Sequence, residues 1–198
     1  MRAYKRFVAP LVAIVDMQNF LEFGFVTYRT GYENETAWEE AINSLKEILN
    51  TQMEAPWMGT GLELIEDRLV MAVEDEKETL GGAGFEECRK MFKVLSKEQD
   101  VPPGLNVGMV LVIDEGSIKS LAEPEGGMQH VWAVDVGFEK GKAGNPEGYE
   151  GVFKVSVHAL LHSLFVGLEG GMEPVDIWKL LQRKERAVVE VEGGHDEL

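Results

Sequence analysis

At 198 residues the chain fits one domain, long enough to bury a core without a disulfide or metal staple. Its apolar content of 44% is ordinary, but the formal charge of −16 repels nucleic acid and anionic membranes and points to neutral, cationic or small partners. A single cysteine, Cys88, excludes an internal disulfide and a cysteine-built zinc site, and no apolar run reaches the ~18 residues of a membrane span.

The first residues, MRAYKRFVAPLVAIVDMQ, join a basic start to an apolar run from Phe7 to Val15. That is the outline of a secretory signal, but Pro10 interrupts the run and no small-x-small cleavage site follows. Residues 1–15 therefore read as an N-terminal extension of a domain that spans the chain. FVTYRT, Phe25 to Thr30, alternates and is rich in β-formers, so it predicts a strand. YENETAWEEAINSLKEILN predicts a helix, with Thr36 and Glu39 as a capping box and Trp38, Ala41, Ile42, Leu45, Ile48 and Leu49 on one face. TQMEAPWMGTG is a Pro/Gly loop, and LVMAV, Leu69 to Val73, suits a central strand covered on both faces.

Phe85, Cys88, Met91, Phe92 and Leu95 mark a second amphipathic helix, stopped at VPPG because proline cannot continue the hydrogen-bond ladder. VGMVLVID and QHVWAVDV predict two further strands, with one helical turn expected in SIKSLAEPEGG between them. EKGKAGNPEGYE is a loop by composition, GVFKV a fifth strand, and Ser156 stands where it would cap a helix over VHALLHSLFVGL. Pro174 opens a last helix, PVDIWKLLQRK, and residues 187–198 form an acidic tail. Runs of adjacent strands mixed with helices predict an α+β fold: a mostly antiparallel sheet of about five strands, covered on one face by three to four helices.

GFVTYRTGYENETAWEEAINSL resembles the opening block of a large group of uncharacterised fungal proteins, of pattern G-[FY]-x-[IV]-Y-R-T-x-Y before a tryptophan-containing helix. VMAVEDEKETLGGAGFEECRKMF is similar to their second block, and MVLVIDEGSIKSL and VWAVDV with EGYEGVFKVSVHALLHSLF to the third and fourth. The resemblance spans roughly Phe20 to Leu180 and implies a fungal source and a shared fold, with no known activity. LVAIVDMQNFLE is similar to a strand end of isochorismatase-like hydrolases. The lysine and nucleophilic cysteine that family requires are missing, so that reading is set aside.

Candidate chemistry is sparse. His158 and His162 stand i, i+4, but they flank an apolar helix face and lack evident further ligands, so a surface pair is expected and no metal. Gly81 to Gly84 precede a helix, yet follow Glu74, Asp75, Glu76 and Glu78, which would repel phosphate. No cofactor motif is present. The most suggestive constellation is a set of strand ends: MAVED, LVIDE and WAVDV carry Asp75, Asp114 and Asp135, and TYRT carries Tyr28 and Arg29. Sharing one rim, these would set carboxylates and an arginine beside an apolar pocket, where a carboxyl pKa shifts and general acid–base chemistry becomes feasible. Arg29 is expected within ion-pair reach of at least one of the acids.

Two function classes follow. In the first, the protein binds a small apolar molecule in a pocket lined by Tyr28, Met71, Asp75, Met109, Asp114 and Trp132. It would act as a cofactor-independent isomerase or cyclase through Asp135 and Arg29, in a setting such as secondary metabolism. In the second, it is a non-catalytic interaction module whose acidic surface meets a basic partner. The sequence leaves the oligomeric state open. The closing His195-Asp196-Glu197-Leu198 spells the address that retains soluble proteins in the endoplasmic reticulum, and Asn34-Glu35-Thr36 is a glycosylation sequon. The broken apolar run favours the cytoplasm, with Asn34 unmodified; the reticulum lumen is the alternative.

Overall fold

The computed structural model describes residues 2–54, 61–98, 101–123, 127–141 and 145–192, with residues 2–8, 98 and 184–192 described by backbone alone. The terminal His-Asp-Glu-Leu and the middle of the loop that follows Met53 lie outside the described residues. Among the described residues, seven α-helices and five strands follow in the order α1 Arg2–Met17, β1 Phe23–Arg29, α2 Glu35–Met53, β2 Leu69–Glu74, α3 Lys77–Leu80, α4 Phe85–Glu98, β3 Leu105–Ile113, α5 Glu115–Ala122, β4 His130–Asp135, β5 Val152–Ser156, α6 Val166–Glu169 and α7 Pro174–Glu192.

The strands form one sheet in the order β2-β1-β3-β4-β5. The α+β class expected from the sequence stands. The sheet, however, is mixed rather than mostly antiparallel: β1 runs parallel to both β2 and β3, while β3-β4 and β4-β5 are antiparallel. The cause is the pair of helical crossovers. A helix between two neighbouring strands carries the chain back to the starting end, so β1, β2 and β3 all point the same way.

Side chains alternate across the pleat, which gives the sheet two cores. Phe23, Phe25, Met109, Leu111, Ile113, Val131, Ala133, Phe153 and Val155 face the larger core, where α2 contributes Trp38, Ala41, Leu45 and Leu49. Val26, Tyr28, Val110, Val112 and Val134 face the smaller one, where α4 supplies Cys88 and Phe92. Helices therefore cover both faces, a correction to the single covered face. Because β2 and β3 flank β1 on opposite sides, and α2 and α4 lie on opposite faces, the two crossovers share one hand, as parallel units require.

The N-terminal helix packs on the domain. Leu11 and Val15 of α1 are wholly buried in the larger core, and each such side chain contributes about 1.5–3 kcal/mol. Two local expectations also change. The N-cap of α2 is Asn34, not Thr36: the Asn34 backbone is extended and its Oδ1 accepts from Ala37 N at 3.1 Å, an arrangement asparagine favours at least as well as threonine. The stretch after β5 is not a regular α-helix. It runs as a 3-10 turn, Val157–Ala159, then a π-helix, Leu160–Phe165, before α6, and Ser156 makes no side-chain cap.

Candidate functional site

At the carboxyl ends of the parallel strands, Arg29 is 3% exposed and sits at the centre of a closed cluster. Its Nε donates to Gly31 O at 2.9 Å, one terminal nitrogen reaches Asp75 at 3.2 Å and the other reaches Glu35 at 2.7 Å. Tyr32 and Trp38 sandwich the guanidinium, with ring centroids 4.2 and 4.4 Å from its carbon. The expected ion pair between Arg29 and one strand-end acid is thus present, with Asp75. Beside it, Asp114 caps α5 through Oδ1 to Ser117 N at 2.7 Å and accepts the Trp132 indole N–H through Oδ2 at 2.9 Å. Gly31 packs so closely that a Cβ there would meet Ile118 at 2.7 Å and Glu115 N at 2.8 Å. The loop after β1 therefore fills the crevice between β1 and β3, the place where open α/β sheets otherwise bind ligands.

Asp135 lies on the opposite rim. Arg29 pairs with Ile113 and Asp135 with Met109 on the same strand β3, which separates them by about 13 Å along the strand at ~3.3 Å per residue. The expected catalytic pair of Asp135 and Arg29 does not form, because β4 runs antiparallel and carries its end away from the other three. The single expected pocket does not form either. Tyr28 and Trp132 face the smaller core, whereas Met71 and Met109 pack into the larger one. Alternation along a strand sends neighbouring residues to opposite faces, whatever their distance from the strand end.

What surrounds Asp135 is more informative. Its Oδ1 accepts from Gly137 N at 2.8 Å and its Oδ2 from the Tyr149 hydroxyl at 2.8 Å. Arg89 of α4, 4% exposed, donates from Nε to the Asp135 carbonyl at 2.7 Å and from a terminal nitrogen to Gly151 O at 3.2 Å, and pairs with Glu86. Gly151 has φ of +69°, and a Cβ there would lie 2.2 Å from the Phe138 ring. Only glycine lets the chain turn and let that ring pass. The loop from β4 to β5 is in this way bound to α4 and folded around the end of the sheet.

Between that loop and α4 opens a cleft of about 1380 Å³. Phe85, Trp132, Phe138 and Tyr149 supply aromatic walls, and Arg89, Lys93 and Lys140 stand against Glu86, Glu139 and Glu150. The Phe85 and Trp132 rings meet at a tilt of 52° with centroids 4.9 Å apart, and Lys154 lies over the Trp132 ring at 5.2 Å. Burial first, then the hydrogen bond to Asp135, raises the Tyr149 pKa far above that of an ordinary phenol. Tyr149 is therefore a fixed hydrogen-bonding group at neutral pH, not a base. Of the residues singled out in the sequence, Trp132 lines this cleft and Asp135 anchors its wall. Phe85, Arg89, Phe138 and Tyr149 were not foreseen as site residues, since each sits in a helix face or loop whose pattern signals only packing or a turn.

Other sequence candidates stay apart from the cleft. Cys88 is fully buried, and burial pushes its thiol up to about 11, away from nucleophile chemistry. His158 is exposed, and the 3-10 and π geometry removes the i, i+4 register that a shared helix face requires. Among the described residues no three histidine, cysteine or acidic side chains are grouped to hold a metal. No described helix is long and apolar enough to cross a membrane.

The fold and cleft define an α+β protein with a mixed five-stranded sheet and an aromatic-walled opening at one end of it. No protein-family model matches the chain, and no curated protein or solved structure matches it.

Proposed function

We propose that this protein binds a small, largely apolar molecule in the cleft between α4 and the β4–β5 loop. The observation that carries the reading is a space of about 1380 Å³ walled by four aromatic rings, with Lys93, Lys140, Glu139 and Glu150 also lining it. A concave site with aromatic walls and polar groups to fix orientation is what small-molecule sites share. Binding is favoured over proton transfer. Both Asp135 oxygens are already hydrogen-bonded inside the protein, so an isomerase or cyclase acting through Asp135 would first have to break the Tyr149 contact. The place in the fungal group remains an inference from the four sequence blocks. A cytoplasmic location remains one from the N-terminal sequence.

The test is titration of uniformly ¹⁵N-labelled protein with 2-naphthol, a flat, neutral aromatic probe. Saturable shifts of the Trp132 indole N–H and of the amides near Phe138 and Tyr149 are the expected result. Trp132→Ala and Phe138→Ser should each remove them while the remaining spectrum stays dispersed. Absence of saturable shifts at millimolar probe, or shifts confined to another face, overturns the reading.

A further inference from the structure

We infer a second binding surface, independent of the cleft: the outer edge of β2 with the groove beside it, which takes an extended peptide of apolar and basic residues from a partner protein. β2 is the outermost strand, and among the described residues it pairs with β1 alone. Its burial differs from its neighbour's accordingly. All seven residues of β1 are buried, whereas β2 is half-buried along its length and exposed at Glu74. LVMAVE also carries no proline and no lysine, two of the usual guards of an edge strand.

At the end of β2, beside Glu74, the smaller face opens into a groove of about 450 Å³. Leu80, Met91, Val94 and Leu95 form its apolar wall, with Tyr28 also lining it. Val94 is 52% exposed although it belongs to the same apolar stripe as Met91 and Leu95. A peptide added to the strand edge would place alternate side chains over this groove, and 450 Å³ is space for two or three of them.

Charge selects the occupant. From Glu74 to Thr79 each residue is exposed, and the run carries Glu74, Glu76 and Glu78 against Lys77, with Asp75 already paired to Arg29. Glu74 and Glu76 also stand at the groove itself, where Lys90 offsets one of the two charges. Lys or Arg between the apolar positions of a partner meets this run, while an acidic peptide or a second copy of this chain, at −16, is repelled. The pairing supplies main-chain hydrogen bonds, the groove supplies side-chain specificity, and the acidic run favours encounter at low salt.

The experiment uses the full chain and two synthetic peptides of identical composition. One alternates, acetyl-KVRVKVRV-amide; the other segregates its charges, acetyl-KKRRVVVV-amide. The alternating peptide should shift amides of residues 69–74 and 91–95 and slow hydrogen exchange of the outward β2 amides. It should bind at least ten-fold tighter than the segregated one at 150 mM salt. Val94→Glu, at an exposed position, should weaken binding ten-fold or more with little change in Tm. Glu74→Gln with Glu76→Gln should weaken it several-fold at low salt and less at high salt. Equal binding of the two peptides, shifts spread over the acidic surface, or retention in Val94→Glu would each overturn the inference. So would concentration-dependent self-association that protects β2 without peptide. The 2-naphthol titration reads Trp132 and the β4–β5 loop, which do not line this groove, so either proposal can fail alone.

Discussion

Replacing Arg29 by methionine tests whether the carboxyl-end cluster is architecture rather than a site. Methionine is similar in length and apolar, so the change removes the guanidinium while leaving little void. The lost bond to the Gly31 carbonyl costs about 1 kcal/mol. Glu35 and Asp75 are 64% and 41% exposed and return to water when released, so these ion pairs contribute only ~0.5 kcal/mol each. The two ring contacts, with Tyr32 and Trp38, add ~0.5–1 kcal/mol apiece, because the cation between them is desolvated. The expected total is about 3–4 kcal/mol, or a Tm lower by roughly 6–16 °C for a chain of this size. Arg29→Lys keeps the charge but not the fork, and should lose about 2 kcal/mol. Urea denaturation followed by tryptophan fluorescence and circular dichroism measures both. The 2-naphthol affinity of the folded Arg29→Met variant should match that of the parent. A stability loss below 1 kcal/mol would refute the cluster's structural role. A loss of probe binding in the folded protein would return Arg29 to the site.

Two further outcomes follow from burial. Leu11→Ala should destabilise by about 2–5 kcal/mol, as deletion from a packed core does, whereas a removable extension would show almost no change in the urea midpoint. In alkali, Cys88 and Tyr28 have pKa values pushed up to about 11 and about 12, each mainly by burial. Both groups must stay neutral in the fold. Their contribution is complete below about pH 8.5 and is lost progressively as pH rises through the window up to about 12. Stability should fall on that limb, and at pH 8 the folded protein should leave Cys88 unreactive to a disulfide reagent until urea is added. Rapid labelling of the folded chain would contradict the burial.

All five strands and the main amphipathic helices were legible in the sequence, because the period of buried side chains is a local property of pleat and helix. FVTYRT, LVMAV, VGMVLVID, QHVWAVDV and GVFKV each overlap an observed strand. The strand-end pattern also set Arg29 near at least one of three acids; that the acid is Asp75 follows from the parallel pairing of β1 and β2, which end on one rim. It did not carry direction. Whether β4 runs with or against β3 depends on the path of the connection between them, and that path puts Asp135 with Tyr149 and Arg89 instead of with Arg29. Nor does a strand-end position say which face a side chain takes, so Met71 and Met109 parted from Tyr28 and Trp132. The cleft is wholly a tertiary product. Phe85 and Arg89 come from a helix crossing the sheet and Phe138 and Tyr149 from a loop wrapped around its end. Only the packing of α4 against that loop brings residues sixty positions apart to one wall, as in the bond from Arg89 to Gly151. A periodicity can announce that a face is buried; what it is buried against is settled by non-local contacts that no window along the chain contains.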